Sequence, residues 1–498
     1  MDPHHPVSAE ASLGPRAAAR FTEYRASQTW PPRGVPREHR IFVNRNLRLR
    51  SIGAVGFDLD YTLAHYRTWE IDDLAFRLTK QKLVERRGHD ADILAIPFDP
   101  EFVVRGLVID RRRGNILKMD YHNYVARAYH GRRPLTPDER KRTYRMRRVR
   151  TSSEAYVSVD TLFHLPEVYL YLALVDHYEA KGRTGDYRRL YQDVREMIDE
   201  SHADGSIKSE IQADPARFVT ADPRLGEFLE ALRSAGKKVF LLTNSEYYFT
   251  DVLLSYLLDG RSWRTYFDHV TVEARKPRFF RKRSRDGHWI TTSGEGAAVY
   301  AGGDVWTLER SLGFAGDSIL YWGDHTYGDI LRSKKSMGWR TAMIVPELER
   351  EIEVTDRIAL KLAELDEAVD TRNRVHLEEQ VTKTECERLA LLLNGTGDSA
   401  EEARREVRRK LQLTEERLAA VRREKELQHQ RIVALDGESS AAYNRYWGML
   451  FREGHELTRF AHQIKDFACI YTSRVSNFLN YPMNTYFHAP VERLPHEL

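Results

Sequence analysis

Cysteine is nearly absent: Cys386 and Cys469 are the only two among 498 residues. That excludes a disulfide framework as the basis of the fold and fits a reducing compartment, so a cytoplasmic setting is expected. No run approaches the roughly 20 apolar residues that a membrane helix requires, and no membrane partner is expected. Residues 1–40 mix Pro, Ala, Arg and His without an apolar stretch. They carry no secretory signal pattern and read as a flexible leader. An excess of one charge is missing too, since 78 basic and 74 acidic residues leave a formal net charge of +4. So small an excess gives no ground to expect nucleic acid as a partner. Basic clusters at 140–150 and 275–285 read as solvated surface unless one lies beside a phosphate site.

What the chain does hold is enough apolar material for a large core. The hydrophobic share is 41%, with 25 Tyr, 20 Phe and 8 Trp. The length exceeds that of one ordinary compact domain, so a main domain with inserted or appended parts is expected. Short apolar segments ending in polar residues recur at 52–59, 238–243, 267–273, 318–323 and 341–345. Continuous runs of this length suit strands buried on both faces of a parallel sheet. Helical patterns lie between them, such as 224–235 ending at Gly236, and the alternation predicts a doubly wound α/β fold. The first strand tip, near Asp60, and the next, near Thr243, are separated by a stretch that must form a cap. Within it, 102–109 and 116–118 predict a β-hairpin turning at Gly114, and 165–179 and 187–201 predict helices. The expected division is a core of 41–80 and 222–346, a cap of 81–221, and a helical hairpin with a C-terminal segment over 347–498. Val407, Leu411, Leu418, Val421, Ile432 and Leu435 follow a 3/4 spacing broken by Lys425 and Gln428. That pattern suits a hairpin or short coiled coil, used either within the chain or for a homo-oligomer, dimer or tetramer. Ser399 with Glu402 forms a capping box for its second helix.

Four polar clusters stand at predicted strand ends, where α/β sheets bind ligands. Phe57-Asp58-Leu59-Asp60-Tyr61-Thr62 follows the first strand; alternation lets Asp58 and Asp60 project together, and crowded carboxylates call for a divalent cation or a shared proton. Thr243-Asn244-Ser245 offers hydroxyls and backbone N–H groups at a strand-to-helix turn, as a phosphate site does and as a plain helix cap does. Lys276, in Ala274-Arg275-Lys276-Pro277, is either a point charge for phosphate oxygens or a surface lysine. Asp324, in Trp322-Gly323-Asp324-His325, can supply a further metal carboxylate, with Asp329 supporting or replacing it; His325 reads as packing. Each cluster has an ordinary structural reading alone. Their order, carboxylate pair, hydroxyl, lysine, carboxylate, is what one sheet edge could gather into one site.

This ordered set resembles the haloacid dehalogenase superfamily of phosphohydrolases, and at finer grain the cytosolic purine 5′-nucleotidase family and its bacterial relatives. Further stretches carry the likeness: Arg105-Gly106-Leu107-Val108, Gly114-Asn115-Ile116-Leu117-Lys118, Thr161-Leu162-Phe163-His164-Leu165-Pro166-Glu167 and Ala274-Arg275-Lys276-Pro277-Arg278-Phe279-Phe280. The resemblance implies a haloacid dehalogenase-like core with a large inserted cap and a C-terminal helical extension. It implies a Mg²⁺-dependent 5′-nucleotidase releasing phosphate from purine nucleoside 5′-monophosphates such as IMP and GMP. Asp58 would be the nucleophile and Asp60 the general acid and base. Mg²⁺ would sit on the Asp58 carboxylate, the Asp60 carbonyl and Asp324, supported by Asp329. Thr243, Asn244, Ser245 and Lys276 would clasp the phosphoryl group, and Phe163, Arg195, Asp199, His202 and Lys208 would meet the nucleotide.

The chain departs from that family in places. Ala203 stands where an aromatic follows the histidine, which bears on the preferred base. Near the expected effector site Arg150 fits, but Asp160 replaces an amide and would repel phosphate, which bears on whether ATP activates the chain. Two rival readings remain at this level: a phosphatase for another phosphorylated metabolite, and an interaction protein whose working part is the helical hairpin.

Overall fold

The computed structural model describes residues 34–144, 149–183, 185–260, 262–292, 295–395, 401–492 and 494–497. Most of the expected leader, part of the 140–150 basic cluster and the capping-box residue Ser399 lie outside them. The chain divides into two compact units, 31–352 with 449–498, and 353–448.

The first unit begins with β1 (Phe42–Val43), β2 (Ala54–Phe57) and β3 (His65–Tyr66), followed by α1 (Thr68–Arg87). An antiparallel sheet comes next, made of β4 (Val108–Asp110), β5 (Asn115–Met119), β6 (Val125–His130), β7 (Arg133–Pro134) and β8 (Tyr156–Ser158), in the order β7-β6-β5-β4-β8. Helices α2 (Leu165–Ala180), α3 (Tyr187–Ala203) and α4 (Ser206–Ala213) complete the cap, and β9 (Val219–Thr220) returns the chain. The expected hairpin is present with Gly114 at φ +66°, but its first strand starts at Val108 rather than at 102. A boundary drawn between 80 and 81 would cut α1, which packs against α2 and α3 and so goes wholly with the cap.

After α5 (Leu225–Ser234) come β10 (Lys238–Leu242), β11 (His269–Val272), β12 (His288–Thr291), β13 (Val299–Ala301), β14 (Ile319–Gly323) and β15 (Arg340–Ile344). The second unit is a pair of long helices, α6 (Ala359–Gly395) and α7 (Glu401–Tyr443). Ion pairs from Glu378 to Arg417 at 2.7 Å and Glu379 to Lys425 at 2.7 Å join them, and Lys361–Glu438 near the other end sets the antiparallel sense. Of the two residues that interrupt the apolar spacing, Lys425 reaches Glu379 and Gln428 is buried. The last strand, β16 (Ile470–Thr472), belongs to the first unit.

The main sheet has nine strands in the order β1-β16-β15-β14-β2-β10-β11-β13-β12. All central pairings are parallel; only β1 on β16 and β12 on β13 run antiparallel. Every residue of β2, β11 and β14 is buried, as strands covered on both faces require. Phe57, Phe228, Trp322 and Phe478 pack on one another at ring-centroid distances of 4.7–6.2 Å. A second cluster holds Phe240, Phe280, Tyr321 and Trp339. This is a doubly wound α/β architecture with an inserted cap and a helical extension. Its switch point is at β2, whose neighbours β10 and β14 carry the chain off in opposite directions. Among the described residues no helix is long and apolar enough to cross a membrane, and both cysteines are free thiols.

Candidate active site

Register brings the four clusters together. Phe57 lies opposite Leu241 on one side and Trp322 on the other, so the residues just beyond share one carboxyl edge. The Asp58 amide continues the ladder by donating to the Trp322 carbonyl at 2.9 Å, and the Thr243 amide donates to Thr271 at 3.0 Å.

Asp58, Asp324 and Asp329 are all buried, and oxygens of the three lie within 4.8 Å of one another. Asp329 reaches this set because Thr326–Leu331 forms one π-turn, which folds the chain back over the end of β14. Such turns recur at functional sites. Gly323 is required by the same turn: a Cβ there would stand 2.5 Å from that of Asp329. Asp324 Oδ2 is buried without a hydrogen-bond partner. Burial, with the charge of Asp329 adding to it, pushes the Asp324 carboxyl well above its ordinary range.

The Lys276 ammonium bridges Asp58 Oδ1 at 2.9 Å and Asp329 Oδ1 at 2.7 Å. It also donates to the Tyr321 hydroxyl at 2.9 Å, which in turn donates to the Leu242 carbonyl at 2.9 Å. Burial alone would depress this lysine, but Asp329 and Asp58 outweigh it and hold the amine charged. Its loop is braced by Asn244, whose Oδ1 accepts from the Lys276 amide at 2.6 Å while its Nδ2 donates to the Lys276 carbonyl at 3.2 Å. Glu273 and Arg275 take left-handed backbone conformations, φ 51° and 57°, to turn the chain in. Burial raises Asp58 to about 6 against the pull of Lys276, with Asp329 adding to the rise.

Asp60 stands apart from that set. Its Oδ1 accepts from the Tyr66 hydroxyl at 2.6 Å and its Oδ2 from Ser245 Oγ at 2.6 Å. Burial, then the charge of Asp58, raises its proton affinity despite these donors and the Lys208 ammonium. Asp60 thus does not share the carboxylate cluster, and Ser245 spends its hydroxyl on Asp60. Thr243 is fully buried, its Oγ1 accepting from the Ser245 amide at 3.0 Å.

From the cap, the Phe163 ring sits 4.8 Å from Tyr61 and 6.0 Å from His202. Burial holds the His202 imidazole down at about 4, so it is neutral. Arg195 pairs with buried Glu167 at 2.7 Å and with Asp199 at 2.7 Å, the salt-bridged face that its spacing also permits. Lys208 pairs with Glu246 at 2.5 Å. His325 accepts the Gly328 amide on Nδ1 at 2.8 Å, within the π-turn. At the expected effector position, Asp160 lies 3.9 Å from Arg459.

Three further residues had no role assigned from the motifs. Tyr66 and Tyr321 supply the hydroxyls just described. Arg105, with its side chain fully buried, donates to the Asp324 carbonyl at 3.0 Å and pairs with Glu347 at 2.7 Å, clamping the loop that follows β14. The sequence signal for Arg105 was the Arg-Gly-Leu stretch itself; the tyrosines lie among buried aromatics with nothing to set them apart.

The sequence matches a family model described as "5' nucleotidase family" over residues 41–498. A 5′-nucleotidase domain-containing protein of Dictyostelium discoideum is 29% identical over 479 residues, 92% of this chain and 74% of that protein. The 5′-nucleotidase domain-containing protein 2 of Rattus norvegicus is 29% identical over 478 residues, 92% of this chain and 80% of its own length. Among solved structures, a haloacid dehalogenase-like family hydrolase from Xanthomonas campestris aligns at 11% identity and TM-score 0.24, covering 59% of this chain and 82% of the other. A β-phosphoglucomutase from Clostridium difficile aligns at 12% and TM-score 0.23, covering 59% and 85%.

Proposed function

Because this chain belongs to the 5′ nucleotidase family, we propose that it is a Mg²⁺-dependent 5′-nucleotidase. In this reading it hydrolyses purine nucleoside 5′-monophosphates such as IMP and GMP by way of a phosphorylated Asp58. One observation carries the reading. Asp58 shares its surroundings with Lys276, Asp324 and Asp329, whereas Asp60, two residues on, has separate partners and a raised proton affinity. Two carboxylates driven into different roles by their environments are what nucleophilic and acid–base catalysis need side by side.

The donor set fits a hard divalent cation: three buried carboxylates within 4.8 Å, one of whose oxygens has no hydrogen-bond partner. Asp58, Asp324 and Asp329, with the Asp60 carbonyl that the family resemblance implies, would hold Mg²⁺, which when bound offsets the charge on the phosphoryl oxygens. Lys276 adds a fixed positive charge on the same oxygens. The Asp58 carboxylate attacks phosphorus, the P–O5′ bond breaks, and Asp60 gives its proton to the departing 5′-oxygen. Asp60, now a carboxylate, takes a proton from water as that water attacks the acyl phosphate, which frees phosphate and restores Asp58. Thr243 and the backbone at Asn244 position the phosphoryl group; the Asn244 side chain acts by fixing the lysine loop. Phe163 and neutral His202 meet the base. Arg195, Asp199 and Lys208, already paired, shape the cap wall around it.

Phosphate release from IMP, GMP, AMP, UMP and p-nitrophenyl phosphate, with Mg²⁺ and with EDTA, tests the proposal. Purine monophosphates are expected to turn over fastest and EDTA to abolish release. Faster turnover of a non-nucleotide monoester would point to another phosphorylated metabolite, and no release from any substrate would remove the enzyme reading.

A further inference from the structure

We propose that Tyr66 is a positioning residue that holds the Asp60 carboxyl for proton transfer and ties it to the hinge of the cap. This rests on the assignment of Asp60 as acid and base above. The chain crosses between core and cap twice, at β3 and at β9, and the two crossings pair antiparallel with Tyr66 opposite Val219. The next residue is fixed as well, the Arg67 amide donating to the Phe218 carbonyl at 2.7 Å. The Tyr66 backbone is therefore set by where the cap returns.

Its side chain is set by the site. The hydroxyl donates to Asp60 Oδ1 at 2.6 Å, the length of a charge-assisted O–H···O bond. The ring lies 5.0 Å from Tyr61 and 6.0 Å from Phe163. A line of contact thus runs from Phe163, where the base is expected, through one ring to the proton donor. Ser245 holds the other oxygen, also at 2.6 Å, from the core side. With one donor on each oxygen the carboxyl plane is held, and the proton that Asp60 carries on a remaining lone-pair position keeps a fixed direction. Loss of the Tyr66 hydroxyl leaves Oδ1 without that donor and frees the plane to rotate about χ2. An aspartic acid free to rotate spends less time in line with the proton it must deliver.

The consequence is specific to the leaving group. Nitrophenolate departs without a proton, but a 5′-alkoxide does not. Tyr66→Phe is therefore compared with wild type by kcat/KM, which reports the steps through departure of the leaving group, for IMP and for p-nitrophenyl phosphate at one Mg²⁺ concentration. The expected result is a loss of roughly 30- to 100-fold for IMP and less than about threefold for p-nitrophenyl phosphate, within the range general acid catalysis supplies. Equal losses on both substrates, or no loss on either, would overturn the proposal while leaving the nucleotidase reading intact. Failure of the wild-type protein to turn over either substrate would overturn both. If Tyr66→Phe unfolds, Ser245→Ala removes the donor on the opposite oxygen and is expected to show the same split between substrates; an unsplit loss there would count against the carboxyl clamp.

Discussion

At the scale of single residues, the site is a problem of crowded charge solved by one lysine. Asp58 and Asp329 both lie within 2.9 Å of the Lys276 ammonium, and all three side chains are buried. Removing the cation leaves two buried carboxylates facing each other, which costs on the order of 3–5 kcal/mol when a buried pair loses one partner. Lys276→Met is accordingly expected to lower the melting temperature in metal-free buffer and to regain much of it on addition of Mg²⁺, which the same carboxylates would bind. Its kcat with IMP is expected to fall roughly 10²- to 10³-fold, the usual cost of removing one charge stabiliser. Differential scanning fluorimetry with and without Mg²⁺, beside steady-state phosphate release, checks both; unchanged stability in metal-free buffer would contradict the bridge. The residues that carry this chemistry were readable as types at strand ends, because few other residues suit a polar tip after an apolar run. The contacts of Tyr66, Tyr321 and Arg105 were not, since a buried tyrosine or arginine gives no sign in sequence of which polar atom it will meet. Asp60 was readable as a candidate acid and base, but its separation from the other carboxylates depends on two hydroxyls that only the folded chain brings near.

At the scale of elements, the five parallel strands β2, β10, β11, β14 and β15 were legible to within about two residues because they are buried and the apolar runs are unbroken. The outer strands β1, β12, β13 and β16 were not. β12 is almost wholly exposed, with Trp289 at 52% exposure, and β16 lies more than a hundred residues beyond the rest of the sheet. In the cap, β6 is mostly half-buried and β8 has three residues, too little for a pattern. β11 supplies a prediction of its own. Burial pulls His269 down to about 4 from its ordinary 6.5, and the ring is held by Thr271 at 3.0 Å and Ser311 at 3.1 Å. The folded chain keeps this imidazole neutral where the unfolded chain protonates it. Its contribution to stability is complete above pH 6.5 and is lost as pH falls toward 4. Between pH 7 and pH 5, wild type should lose up to about 2 kcal/mol that His269→Gln does not lose, at about 1.4 kcal/mol per pH unit below 6.5. Urea unfolding of both proteins at the two pH values measures it, and parallel losses would show that this histidine is not held neutral.

For the molecule as a whole, the proposed site and the long helices belong to different compact units. Every residue of the proposed site lies in 31–352, and the same unit resumes at 449. The two ends of the insertion meet: the Leu450 amide donates to Glu351 at 2.9 Å, and Lys361 pairs with Glu438 inside the hairpin. Replacing 362–437 by a short Gly/Ser linker closes a gap the structure already closes, and loop closure of that size costs little. Such a protein is expected to keep kcat/KM for IMP within about threefold of the full chain. A loss of phosphate release with the fold retained would mean the hairpin serves the reaction.

The reading that joins these scales is that Asp58 itself takes the phosphoryl group. Acid quench of the full-length protein a few milliseconds after mixing with ³²P-labelled IMP and Mg²⁺, followed by peptide mapping, tests this directly. The label is expected on the peptide bearing Asp58 and is expected to be missing, along with phosphate release, in Asp58→Asn. Steady phosphate release with no labelled aspartate at any quench time, or turnover by Asp58→Asn, would contradict it.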